Sequence, residues 1–213
     1  MSLYHLVREP KTKLDKNPLL LLLHGYGSNE EDLFSFASEL PGEYYVISVR
    51  APYDLPPYGH AWYAINFDAD ENKFSDYAQA RESRDRVIAF IDNLPSKYAV
   101  DTENITLIGF SQGSILSYAV ALSHPQKISR VVAMSGYLSQ EIAIEGFGQN
   151  DFSNLKMFVS HGTVDQVIPV QWEREKSIPM LEKLNIDFIY KEYPIGHGVS
   201  PQNFRDVVSW LQQ

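Results

Sequence analysis

The chain has 213 residues, 44% of them hydrophobic, enough to bury a full core and expected to form one domain over 1–213. Against 27 Asp and Glu stand 18 Lys and Arg, a net charge of −9 with no basic cluster, which makes nucleic acid and anionic membrane surfaces poor partners. Cysteine is absent, so a thiol nucleophile, a thiolate metal site and a disulfide are all excluded, and only a hydroxyl route to covalent catalysis remains.

Residues 1–16 lack the basic start and apolar stretch of a signal peptide. The first strand candidate is the leucine run 19–23, far short of the ~20 residues of a membrane span and suited to a buried parallel strand. The expectation is a cytoplasmic protein without integral membrane association. His24-Gly25-Tyr26-Gly27 follows the run directly. A helix is expected over 30–40 and a strand over 45–49. Residues 51–72, rich in proline and aromatics, resist both patterns and read as a long loop able to rim a site. Within 76–97, Val87, Ile88, Ile91 and Leu94 share one helical face.

The β-branched run 105–108 leads into Gly109-Phe110-Ser111-Gln112-Gly113, and a helical pattern over Gln112–Ser123 follows, with Ile115, Leu116, Ala119 and Val120 on one face. A G-x-S-x-G pentapeptide between strand and helix is the layout of a nucleophile elbow, with Ser111 as the nucleophile. Glycines on both sides are expected to give the tight turn the room it needs. Further strands are expected over 131–134, 157–160 and 188–193. Helices are expected over 171–185, broken or kinked near Pro179, and over Pro201–Leu211. Residues 139–154 read as a second long loop. The alternation of strands and helices implies a mostly parallel sheet covered on both faces, and a chain of 213 residues leaves no room for a large second domain or cap.

A serine hydroxyl needs a base to take its proton and a third group to orient that base. Of six histidines, His197 stands in a glycine-flanked loop just after the last expected strand. His5, His60 and His124 fit less well, and His24 and His161, each before a glycine at a strand end, read as turn residues. The acid is expected between serine and histidine in chain order, which selects Asp165 in His161-Gly162-Thr163-Val164-Asp165, with Glu145 and Asp151 as rivals. An oxyanion hole needs two amides: that of Gln112, at a helix N-terminus, and that of Tyr26, in the loop after the leucine strand. As backbone donors, both are expected to tolerate substitution. Trp62 and Val167, together with Tyr63 and Ile168, suggest an apolar substrate groove.

The set His24-Gly25-Tyr26-Gly27, Ala61-Trp62-Tyr63, Gly109-Phe110-Ser111-Gln112-Gly113, Ser135-Gly136-Tyr137, His161-Gly162-Thr163-Val164-Asp165 and Gly196-His197-Gly198, in order across nearly the whole chain, resembles the phospholipase/carboxylesterase family of α/β-hydrolases. The resemblance implies an α/β-hydrolase fold, a Ser111, Asp165 and His197 triad, oxyanion amides from Tyr26 and Gln112, and Trp62 near the substrate groove. It implies hydrolysis of a small-molecule carboxylic ester without metal or cofactor, and the lack of a cap, an apolar rim around Trp62 and the net negative charge point to uncharged esters of short to medium acyl chain. Acyl-thioesterase or lysophospholipase activity is the alternative with the same triad, and a catalytically inactive hydrolase-fold binding protein is the rival from another class.

Overall fold

The computed structural model describes residues 3–57, 59–67 and 73–213. Among these, seven strands form one sheet: β1 (His5–Arg8), β2 (Asn17–Leu23), β3 (Tyr45–Val49), β8 (Val100–Phe110), β9 (Arg130–Met134), β10 (Lys156–Gly162) and β11 (Asp187–Tyr193). Their order is β1-β3-β2-β8-β9-β10-β11, all parallel except β1, which runs antiparallel to β3. Two hairpins lie outside it: β4 (Tyr53–Leu55) with β5 (Gly59–Ala61), and β6 (Ile65–Phe67) with β7 (Lys73–Ser75).

The leucine run explains its own position. In β2, between β3 and β8, every leucine from 19 to 23 is buried, because a central parallel strand is covered on both faces. Side chains alternate across the sheet, so Leu19, Leu21 and Leu23 enter one core while Leu20 and Leu22 enter another. The first core is shared with α2 (Tyr77–Asn93) and α3 (Gln112–Ser123), the second with α1 (Glu31–Phe34) and α6 (Pro201–Leu211). All twelve residues of α3 are buried, so its apolar positions do not confine themselves to one stripe.

The expected strands are present, several longer at their polar ends. β8 begins at Val100 rather than 105, since its first half carries Asp101, Thr102, Glu103 and Asn104 and shows no apolar run. β1 gave no such signal either: it is a half-buried edge strand. The helix expected over 30–40 is regular only over Glu31–Phe34. Beyond it the chain tightens into i to i−3 turns, with Phe36 donating to Leu33 and Ala37 to Phe34, while Leu33, Ala37 and Leu40 still point inward. The segment 171–185 is interrupted, as its proline suggested: α4 (Val170–Trp172) passes through a π-turn, Glu173–Ser177, into α5 (Ile178–Lys183). Pro179 has no amide to give to the turn before it, which accounts for the irregular bonding there. Of the two segments read as loops, 51–72 carries β4, β5 and β6, and 139–154 tucks Ile142, Ala143 and Phe152 into the core.

Candidate active site

Ser111 sits between β8 and α3 with φ 54° and ψ −118°, a conformation that a side chain makes costly. The flanking glycines contribute space rather than unusual dihedrals. A Cβ on Gly109 would fall 2.4 Å from the Gly113 carbonyl oxygen, and one on Gly113 would fall 2.0 Å from that of Leu23. The elbow thus presses against the end of β2, and the strain resides in the serine itself. The Ser111 amide is anchored to the Met134 carbonyl on β9 at 2.9 Å.

The loop carrying His197 reaches Ser111 because Gly162, at the end of β10, lets the chain approach: a Cβ there would fall 2.3 Å from the Gly196 carbonyl oxygen. Thr163 and Val164 donate to the carbonyls of Tyr193 and Ile195, knitting the two loops together. His197 Nε2 then lies 2.9 Å from Ser111 Oγ and its Nδ1 2.7 Å from Asp165 Oδ2. Phe110 packs on the imidazole, ring centres 4.9 Å apart. The Asp165 side chain is fully buried, and its Oδ1 accepts the amides of Val167 at 2.8 Å and Ile168 at 2.9 Å. Glu145 and Asp151, the alternative acids, lie exposed on the 139–154 segment, where Asp151 accepts the Ser153 amide.

A cavity of about 240 Å³ opens over Ser111 and His197. Tyr26 and Gln112 flank the serine; Tyr63, Ile65, Ile115, Tyr137, Val167, Ile168 and Trp172 make a largely apolar wall. Burial pushes the Tyr137 phenol up to about 12 and the Tyr63 phenol well above its ordinary value, so both stay neutral. The Gln112 amide opens α3, where no preceding helical turn supplies an acceptor. Among the described residues the Tyr26 amide has no hydrogen-bond partner. Past Tyr137 and Trp172, whose rings meet edge to face at 5.0 Å, lies an outer cleft of about 540 Å³.

Two expectations change here. Trp62 does not line the cavity: it is fully buried, its indole nitrogen donates to the His24 carbonyl at 2.9 Å, and Ser83 Oγ donates to its carbonyl. The groove position one residue along belongs to Tyr63. Nor is Gln112 only a backbone donor. Its side chain is buried, with Oε1 accepting the Trp62 amide at 2.8 Å and Nε2 donating to the Tyr63 carbonyl at 2.8 Å.

Tyr137 and Trp172 were not foreseen as cavity residues. The available signal was their place just beyond the carboxyl ends of β9 and β10, where ligands of open parallel sheets bind.

Taken together, a parallel sheet with a strained serine between strand and helix, a histidine and a buried carboxylate defines the α/β-hydrolase class. The phospholipase/carboxylesterase family matches residues 5–213, and the chain belongs to that family. Its chemistry is the hydrolysis of carboxylic esters. Acyl-protein thioesterase 1 of Yarrowia lipolytica is 28% identical over 156 residues, covering 72% of this chain and 68% of that protein. The match to a probable carboxylesterase SOBER1-like protein of Arabidopsis thaliana, 28% over 115 residues, spans 54% of this chain but only 44% of the other. In fold the chain is like the Bacillus cereus carboxylesterase, with a TM-score of 0.84 at 22% identity, covering 99% and 93% of the two chains.

Proposed function

We propose that the protein hydrolyses esters of short to medium acyl chain through an acyl-enzyme formed on Ser111. The observation that carries this reading is the unbroken line Ser111 Oγ, His197, Asp165 at the floor of an apolar cavity. His197 takes the serine proton at Nε2 as Oγ attacks the acyl carbonyl, then returns it to the leaving alcohol. Asp165 fixes the Nδ1–H tautomer and stabilises the imidazolium. The Gln112 and Tyr26 amides hold the developing oxyanion. Water, activated by the same imidazole, then releases the acid.

The substrate preference follows from size and polarity. A cavity of about 240 Å³ walled by neutral aromatics and aliphatics suits an uncharged acyl group of modest length. The outer cleft favours a second reading, because Tyr137 and Trp172 border both spaces and a bulky leaving group, the thiol of a thioester or the glycerophospho-alcohol of a lysophospholipid, would lie across them. Acyl-thioesterase activity is therefore the alternative. Action as one domain in the cytoplasm belongs to the same proposal, as does independence of nucleic acid.

Rates on matched acyl esters and acyl thioesters of graded length decide between the two readings. Labelling with a fluorophosphonate, located by mass spectrometry, tests both: an adduct on Ser111 is expected, and one elsewhere removes the nucleophile. Asp165→Asn should keep the fold and lower kcat by about 10²–10⁴, while Glu145→Gln and Asp151→Asn stay near wild type.

A further inference from the structure

Behind the triad runs a second line of buried polar groups that ester hydrolysis does not itself employ. His161, near the end of β10, places Nε2 2.8 Å from the Ile168 carbonyl oxygen and 3.4 Å from Asp165 Oδ2. Its Nδ1 lies 3.3 Å from Glu173 Oε2, and Glu173 Oε1 accepts the Tyr118 hydroxyl at 2.8 Å. The side chains of His161, Asp165 and Glu173 are all fully buried. Glu173 opens the π-turn, an irregularity that often marks a functional position. Buried ionisable groups are costly unless each is paired, so such a chain is an expensive way merely to fill space.

Hydrogen bonding fixes part of the protonation. Both neighbours of Nε2 are acceptors, so Nε2 carries a hydrogen. One further proton lies between Nδ1 and Glu173, and its position sets whether the pair is neutral or ionic. The Asp165 carboxylate draws it onto the ring. Burial alone would lower the His161 pKa, but its hydrogen bonds to Glu173 and the Ile168 carbonyl, with the charges of Glu173 and Asp165, raise it overall. Of the other groups around this pair, only Tyr118, by donating to Glu173, favours the same direction. Glu192 on β11 pairs with His161 in the sheet register and is itself bridged to the exposed Arg174 at 2.6 Å, while Tyr190 donates to Glu192 and Tyr118 to Glu173.

We infer that His161 and Glu173, steadied by Tyr118, form a positioning pair that orients the buried Asp165 carboxylate for His197. Both imidazoles address the same oxygen, Oδ2, while the amides of Val167 and Ile168 occupy Oδ1. A cationic His161 therefore shares Asp165 with His197 and resists a second positive charge there, so losing it makes His197 easier to protonate. The kinetic consequence rests on the esterase reading above; the charge state of His161 does not.

Two measurements test the pair. In ¹⁵N-histidine NMR of the wild-type protein, His161 should show both ring nitrogens protonated at pH 7.5; a neutral His161 overturns the inference whatever the protein hydrolyses. In kinetics, folded Glu173→Gln should lose roughly 3- to 30-fold in kcat with KM changed less than about twofold. The acidic limb of its kcat/KM profile should move up by about half a pH unit. The double variant with His161→Gln should be no worse than the poorer single one. Lower thermal stability with kcat and the acidic limb unchanged assigns a purely structural role and overturns the inference. If Glu173→Gln does not fold, Tyr118→Phe carries the same readouts with smaller shifts, and their absence there counts equally against it. A wild-type protein inactive on every ester removes the esterase reading instead, leaving the NMR result to decide His161.

Discussion

Gln112 Oε1 accepts the Trp62 amide at 2.8 Å, so the residue that follows the nucleophile is fastened to the segment forming one wall of the substrate cavity. Its amide nitrogen closes the clasp on the Tyr63 carbonyl. An amide proposed to hold the oxyanion is thereby fixed in place by its own side chain, which preorganised stabilisation requires.

Gln112→Ala should accordingly cost about 1–3 kcal/mol of stability, by leaving the buried Trp62 amide and Tyr63 carbonyl without partners. kcat should drop in the same variant although the backbone donor remains. Urea unfolding and steady-state kinetics measure the two effects; wild-type values for both would show that the clasp does nothing.

Ser111 invites a comparison between two truncations. Both Ser111→Ala and Ser111→Gly should lower kcat by about 10⁴ or more, since each removes the attacking atom. Only glycine also relieves the positive φ, a strain worth about 1–3 kcal/mol and partly offset by the greater freedom of glycine in the unfolded chain. Ser111→Gly should therefore be the more stable of the two in denaturant melts. The reverse order would mean that the elbow stores no strain.

Trp62 and Trp172 should separate cleanly. Trp62→Ala removes a fully buried indole and should cost about 3–5 kcal/mol of stability. Trp172→Ala, at a half-exposed wall position shared by both cavities, should leave stability nearly unchanged and alter the dependence of KM on acyl length or leaving-group size. Melting curves and a graded substrate series read these effects. A change in substrate preference confined to Trp62→Ala would restore it to the groove.

Stability should fall in acid partly through His24. Burial holds this imidazole below its ordinary pKa, with Nδ1–H donating to the Gly25 carbonyl at 2.7 Å and Nε2 accepting the Ala51 amide at 3.0 Å. A proton on Nε2 would break the second bond. The unfolded chain takes up that proton below about pH 6.5 while the folded chain resists, so the unfolded state binds more protons there and stability drops as pH falls. His161 works in the opposite sense: its raised pKa stabilises below the unfolded value and that contribution is lost as pH rises through the folded one. His24→Gln, which keeps an acceptor for Ala51, should lose less stability than wild type between about pH 7 and 5 in urea melts. Equal losses would remove His24 as a source of acid sensitivity.

The sequence by itself determined the six core strands β2, β3 and β8 to β11 in chain order and the candidate triad. Leu19–Leu23 could only be a strand buried on both faces, and a serine between two glycines after a β-branched run left one kind of turn. These features are local, because hydrophobic period and steric demand act over a few residues. What only the tertiary structure decided depends on which residues face one another across the sheet. Trp62 and Tyr63 are neighbours of equal aromatic character in the bend after β5, and both are buried, yet only Tyr63 reaches the cavity wall, and no local rule chooses between them. Likewise His161, Glu173 and Tyr118 come from a strand, a π-turn and a helix, and only the packing of α3 against the carboxyl end of the sheet makes them one buried chain behind Asp165.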